Sequence, residues 1–357
     1  MHIGLFGNYG ATNIGDEAIL EMILKSHPDH RFTVFSANPR ETAKRYNVEA
    51  VPLFPCGVRS FLRGGLIDSK KALQAVDAIV LGGGGLFQDD HLYACLIWAW
   101  QTMWAKHFKK PLFIYAVGVG PLRTWLGKKL TRYVFNYASQ GTVRDENSKT
   151  VLGTLGVDDS KFFLTDDPVF LSNKGADKNR TNNLYIISVR PWKKNQNQRT
   201  IDSMTKFLKW LKETKNATFL FTVMQSIKES DDTMAKFLAK QFDEQIFCPK
   251  NFNELMNRIS ECEGAIGMRY HFGIAAFLTD TPYLGISYSP KVTALFRKSP
   301  EALVPLENVT AEALQKTWGK IIGNKEVILK RQKEVVDESR NQANKNSEHL
   351  EAFLKKI

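Results

Sequence analysis

Arg269 and His271 stand two positions apart in the run Met268-Arg269-Tyr270-His271, and that pairing points to a chemistry. An arginine grips an oxyanion through a planar fork of donors and keeps its charge at any working pH. A histidine moves a proton near neutrality. An anion clamp beside a proton shuttle suits an enzyme that acts on a phosphorylated or carboxylated small molecule. A bare R-x-H is more often a surface arginine beside a capping histidine, so its surroundings must decide. A second arginine, Arg190, stands in Ser188-Val189-Arg190-Pro191-Trp192. Two such arginines can hold two anionic groups of one ligand. Trp192 reads as packing rather than as a sugar platform.

Both arginines follow apolar, strand-like segments. Gly264–Gly267 precedes Arg269, and an apolar helix-like run, Phe272 to Leu278, follows it. A β-to-α junction of this kind opens on the crevice at the carboxyl end of a parallel sheet, where open α/β proteins bind ligands. The whole chain alternates short aliphatic runs with longer helical ones, the signature of βαβ units. Strands are expected at His2–Phe6, Arg31–Ser36, Ala78–Leu81, Leu112–Val117, Gly141–Val143 and Phe162–Leu164. Helices are expected at Glu17–Ser26, Leu92–His107, Leu126–Ala138 and Ser148–Leu155. A polar stretch without periodicity, 173–183, reads as a linker. A second series has strands at Leu184–Val189, Thr218–Val223, Gln245–Cys248, Gly264–Gly267 and Tyr283–Ser287. Its helices are Thr200–Lys215, Asp231–Gln241, Asn253–Glu261, His271–Leu278 and a stretch after Pro290. The expected fold is α/β, two Rossmann-like domains (1–172 and 184–309) facing across a cleft. A charged helical segment, 310–357, follows and by analogy returns to brace the first domain.

Three glycine-bearing turns follow strands in the first domain. Gly7 to Glu17 contains Gly10, Asn13 and Gly15 and is neither a Walker A nor a G-x-G-x-x-G sequence, so nucleotide binding is not indicated. Its free N–H groups and the helix dipole suit an anion. Asp16 is either the N-cap of that helix or a base. The second turn, Gly82-Gly83-Gly84-Gly85-Leu86-Phe87-Gln88-Asp89, costs about 0.5–1 kcal/mol for each glycine held in one conformation. A ligand, or the backbone of the other domain, passing at van der Waals distance would require all four. Asp89 follows as a candidate proton acceptor, and Gln88 lines the same loop. The third turn, with Gly120, is Gly118 to Leu122. Trp98, Trp100 and Trp104 on the helix after the tetraglycine read as core packing.

The chain has 357 residues, 43% of them hydrophobic, enough for two buried cores. Its four cysteines (Cys56, Cys95, Cys248, Cys262) are widely spaced, which argues against a disulfide framework and a zinc site and fits a reducing cytoplasm. No signal peptide is expected, and the apolar run Leu92 to Ala105 is too short to span a bilayer. The net charge is +12, and eleven Lys/Arg face three Asp/Glu between Lys174 and Lys215. Without a recognition motif this excess does not indicate nucleic acid. An anionic small molecule or an anionic membrane surface is the better partner. A cytoplasmic protein is expected, soluble or at most attached to the inner face of a membrane.

Taken in order, several stretches resemble the polysaccharide pyruvyl transferase family. They are G-N-Y-G-x-x-N-I-G-D-E-A-I-L near the N-terminus, G-G-G-G-L-F-Q-D at 82–89, G-V-G-P at 118–121 and V-R-D-x-x-S at 143–148. D-D-P-V-F at 166–170, S-V-R-P-W at 188–192, R-Y-H at 269–271 and G-I-S-Y-S-P-K-V at 285–292 complete the set. The run Asp90-His91-Leu92-Tyr93-Ala94 departs from the Ser/Thr- and Arg-containing run of many relatives, which bears on the acceptor rather than the donor. The resemblance implies a GT-B-type fold and transfer of pyruvate from phosphoenolpyruvate to a sugar, or a lipid-linked oligosaccharide, as a cyclic ketal. By resemblance Arg190, Arg269 and His271 fall at positions that hold and activate the donor, Tyr270 and Ser287 are further donor-side candidates, and the chemistry calls for an acid, His271, and a base, Asp89 or Asp16. Phosphoenolpyruvate is then a co-substrate, with no cofactor and no metal expected. The main rival is a GT-B glycosyltransferase using a nucleotide sugar; against it, no late acidic pair stands ready to grip a ribose or sugar ring. A non-catalytic binder of phosphorylated sugars would leave His271 without a purpose.

Overall fold

The computed structural model describes residues 1–57, 65–89, 92–175, 180–192, 194–225 and 232–357. They form two compact units, Met1–Leu171 with Ser339–Ile357, and Ser172–Glu338. Of the expected linker, 176–179 lie outside the described residues, and Thr181–Asn183 already belong to a strand. Asp90, His91 and Asp231 also lie outside the described residues.

The first unit alternates β1 (His2–Phe6), α1 (Ile14–Ser26), β2 (Arg31–Ser36), α2 (Pro39–Tyr46), β3 (Glu49–Pro52), α3 (Leu66–Ala75) and β4 (Ala78–Phe87). It continues through α4 (Leu92–His107), β5 (Leu112–Val119), α5 (Trp125–Tyr137), β6 (Gln140–Val143), α6 (Glu146–Thr154) and β7 (Phe162–Leu164). The seven strands are parallel, in the order β3-β2-β1-β4-β5-β6-β7. The order reverses between β1 and β4, which opens a ligand-sized crevice at their carboxyl ends. Strands covered on both faces need unbroken apolar runs, and β5 is buried along its whole length. Trp98 is buried, Trp104 stacks on Phe54 at 4.7 Å and Trp100 donates to the Pro55 carbonyl at 2.9 Å, so this cluster is packing.

Two expectations fail here for local reasons. Helix α1 starts at Ile14 rather than Glu17, because Asn13 is the N-cap and its Oδ1 accepts from the Gly15 N–H. Asp16 is therefore a first-turn residue and not the cap. The tetraglycine is no turn: β4 runs through it to Phe87. Gly84 pairs with Val117 but Phe87 with Val119, so β4 carries one extra residue, a bulge. Gly83 and Gly84 sit at φ +72 and +81. A Cβ on Gly83 would lie 2.1 Å from Ile19 Cγ2, and one on Gly84 would lie 2.5 Å from Asp16 Oδ1. Helix α1 of the same unit lies close enough to require glycine at both positions.

The second unit contains β8 (Thr181–Ser188), α7 (Lys194–Lys215), β9 (Thr218–Thr222), α8 (Asp232–Phe242), β10 (Gln245–Phe247), α9 (Phe252–Ser260) and β11 (Cys262–Gly267). Then come α10 (Tyr270–Leu278), β12 (Tyr283–Ser287), α11 (Pro290–Leu295), β13 (Leu303–Pro305) and α12 (Ala311–Gly323). Its strands are parallel in the order β10-β9-β8-β11-β12-β13 and reverse between β8 and β11. Ser188 pairs with Gly267, and Gly267 with Gly285, so β8, β11 and β12 end side by side.

The last helix, α13 (Lys325–Leu354), belongs to the first unit from Ser339 onward. There the Asn346 carbonyl oxygen accepts from Thr142 and Thr165 at 2.6 and 2.7 Å, and Phe353 packs on Phe113. All four cysteines are free thiols. Among the described residues no helix is long and apolar enough to cross a membrane.

Candidate active site

In the second unit, three neighbouring strand ends bring together residues that lie far apart in sequence. Arg190 follows β8, Arg269 follows β11, and Tyr288 follows β12. The Arg190 guanidinium carbon lies 5.7 Å from the Trp192 ring centre and 5.6 Å from that of Tyr288, and the two rings are 4.5 Å apart. The Arg190 Nε–H donates to the Pro191 carbonyl at 3.3 Å. A guanidinium held against two aromatic faces loses little rotamer freedom when it meets a ligand. Burial alone would push the Tyr288 phenol up in pKa. The charges of Lys291, Arg269 and Arg190 outweigh it, and the phenol is held below its ordinary value. Tyr288, half-buried, thus sits in the field of three cations.

Arg269 is the N-cap of α10, and one of its terminal nitrogens reaches Gln225 Oε1 at 3.5 Å, the outer limit of a hydrogen bond. Tyr270 and His271 form the first turn of α10, half-buried, with their rings 5.3 Å apart. The helix dipole adds positive potential at this point. Ser287 is different. Its hydroxyl is engaged with Thr293 at 2.6 Å and with the Ser289 carbonyl, so it shapes the turn that carries Tyr288. Tyr288 and Lys291 had drawn no role from the sequence. The signal was present in S-Y-S-P-K, where Pro290 opens a helix and sets Lys291 in its first turn.

In the first unit, Asp16 is buried beside Gly84, and its Oδ2 accepts from the Asn8 side chain at 2.7 Å. Gly10 N–H donates to Glu17 Oε1 at 2.7 Å, and the Tyr46 hydroxyl donates to Glu17 Oε2 at 2.8 Å. Burial raises the Glu17 pKa even against those bonds. Glu17 thus braces the loop after β1, a role that sequence reasoning missed. Asp89 accepts from the Arg123 and Thr124 N–H groups and from the Thr124 hydroxyl, at the start of α5. Burial works to raise its pKa, but those bonds and the Arg123 charge hold the carboxyl below the usual range. Asp89 thus holds the turn before α5, whose N-cap is Thr124. Gly120 N–H donates to the Phe87 carbonyl, while Gly85 and Gln88 are half-buried at the end of β4.

A model of the polysaccharide pyruvyl transferase family matches residues 13–290, which is most of the chain and takes in Asp16, Asp89, Arg190, Arg269, His271 and Tyr288. The chain belongs to the polysaccharide pyruvyl transferase family. Some stretches that carry the family likeness hold this pyruvyl transferase's scaffold. Buried Arg144 pairs with Asp167 at 2.8 Å, joining V-R-D to D-D-P. A Cβ on Gly118 would meet that guanidinium at 2.8 Å. The Ser148 hydroxyl accepts from the Val119 N–H and donates to Asp145.

Solved structures share the fold at low identity. Anabaena HepE in complex with UDP-glucose aligns with a TM-score of 0.69 at 11% identity, over 99% of this chain and 100% of that one. UDP-GlcNAc 2-epimerase from Neisseria meningitidis, bound to UDP-GlcNAc, gives 0.66 at 13%, over the whole of both chains. S. aureus MnaA with UDP gives 0.66 at 11%, over 100% and 97%. These likenesses establish the fold of the pyruvyl transferase, two parallel-sheet α/β domains of GT-B type with a C-terminal helix.

Proposed function

We propose that this pyruvyl transferase takes phosphoenolpyruvate as donor and forms a cyclic pyruvyl ketal on a sugar of a cell-surface polysaccharide or its lipid-linked precursor. The observation that carries the reading is Arg190 set against Tyr288 after β8, with Arg269 and His271 at the start of α10 after the paired strand β11. Phosphoenolpyruvate has a phosphate and a carboxylate on one three-carbon frame, so several cations at adjoining strand ends suit it. His271 delivers a proton to the methylene carbon, which becomes the methyl group as the π electrons leave the adjacent carbon. A sugar hydroxyl bonds to that electron-poor carbon, phosphate departs with the C–O bond pair, and a second hydroxyl closes the ring. Two hydroxyl protons are lost, one balancing the new methyl group and one leaving with phosphate. Cations aligned before the reaction stabilise the departing phosphate without reorganisation. An acceptor side on the first unit is supported by a cavity of about 320 Å³ at the ends of β2 and β3, lined among others by Phe54, Tyr93 and Gln101.

Thermal unfolding with added ligands tests the donor. A ligand that binds the folded chain alone raises the melting temperature by mass action. Phosphoenolpyruvate is expected to do so, and UDP-, GDP- and CMP-sugars less. A nucleotide sugar that stabilises strongly while phosphoenolpyruvate does nothing would favour glycosyl transfer.

A further inference from the structure

The end of α13 meets the turn between α1 and β2 through three side chains whose chemistry the transfer reaction does not use. His27 is the C-cap of α1, and His30 donates its N–H to the His27 carbonyl. That turn stacks the two imidazoles, with centres 6.2 Å apart and planes 12° from parallel. Both point at Glu351, with His27 Nδ1 2.7 Å and His30 Nε2 3.1 Å from the same Oε1. The three ligand atoms all lie within 4.8 Å of one another.

We propose that His27, His30 and Glu351 form a binding site for a divalent metal ion of the zinc type, stapling the C-terminal helix to the first sheet. Two imidazole nitrogens and one carboxylate oxygen are a zinc donor set, with bonds of about 2.0–2.2 Å. Tetrahedral ligands at that range stand roughly 3.4 Å from each other. The two hydrogen-bond distances need to open by well under 1 Å to admit the ion, given that geometry. Glu351 keeps 40% of its side chain exposed, which leaves the fourth position to water. Tyr115 against His27 and Phe32 against His30 wall the site with aromatic edges.

The expectation of no metal, drawn from cysteine spacing and from a transfer reaction that requires none, does not extend to a structural ion at this group. Glu351 lies 324 positions from His27, so no local motif announces it.

Titration of the metal-free full-length protein with Zn2+, followed by calorimetry and thermal unfolding, tests the site, with Co2+ as a spectroscopic stand-in. The expected result is one ion per chain, visible bands of four-coordinate Co2+, and a melting temperature that climbs with Zn2+. His30→Ala and Glu351→Gln should each weaken Zn2+ binding at least tenfold while the circular dichroism spectrum stays that of the parent. Absence of saturable binding, or saturable binding that survives in both variants, overturns the proposal.

Discussion

Arg190 and Arg269 approach from the ends of paired strands, so each can grip a different anionic group of one donor. Replacing either with Ala is expected to weaken donor binding by about 2–4 kcal/mol, with Lys restoring only part, since the bidentate fork is lost. His271→Gln should instead lower kcat by roughly 10²–10⁴ and leave donor affinity nearly intact. Steady-state kinetics separate the two, and an unchanged kcat in His271→Gln would return that residue to a packing role. Tyr288 makes a prediction of its own. Neighbouring cations favour phenolate, so Tyr288 should ionise at lower pH than free tyrosine, whereas Tyr9, Tyr115, Tyr185 and Tyr283 are pushed up by burial. Ultraviolet titration should show one early phenol that vanishes in Tyr288→Phe; an early phase surviving there contradicts the cluster. Arg269 and His271 could be singled out as candidates in R-Y-H because those side chains declare their chemistry. Tyr288 was not, since its setting arises from positions 190, 269 and 291, which only strand register unites.

Strands and helices with strong periodicity or unbroken apolar runs could be located from sequence, and β1, β2, β7, β12 and α4 have the expected bounds. Helix α2, with Thr42 as its one buried residue, has no apolar stripe to read. The tetraglycine misled because glycine signals a turn, while here it lets β4 pass close to α1. Gly84→Ala should therefore destabilise the protein by roughly 1–3 kcal/mol, from backbone strain at positive φ and collision with Asp16. A urea midpoint equal to that of the parent would show that the bulge relaxes. The α13 clasp adds a pH dependence. Burial depresses the His27 pKa, so the unfolded chain binds that proton more tightly than the folded one. The stabilisation is complete above about pH 6.5, the free imidazole value, and is lost as pH falls below it. Glu351, also depressed, acts with the same sign in a lower range. In metal-free protein the melting temperature should fall between about pH 7 and 5, and His27→Gln should flatten that fall. Equal slopes in both would remove the clasp from the account.

At the scale of the whole molecule, fold and chemistry separate. HepE with UDP-glucose and a 2-epimerase with UDP-GlcNAc share the two-domain fold at 11% and 13% identity. The fold therefore leaves the donor open, and the site must decide it. The family match over residues 13–290 and the cations after β8, β11 and β12 are the grounds for the proposed pyruvyl donor. Incubation with phosphoenolpyruvate and a panel of glycosides bearing neighbouring hydroxyl pairs, free and lipid-linked, tests that claim most directly. The account predicts phosphate release matched one-to-one by a pyruvyl ketal on an acceptor, seen by mass, and lost in Arg269→Ala. Glycosyl transfer from a nucleotide sugar, with phosphoenolpyruvate untouched across the panel, would contradict it.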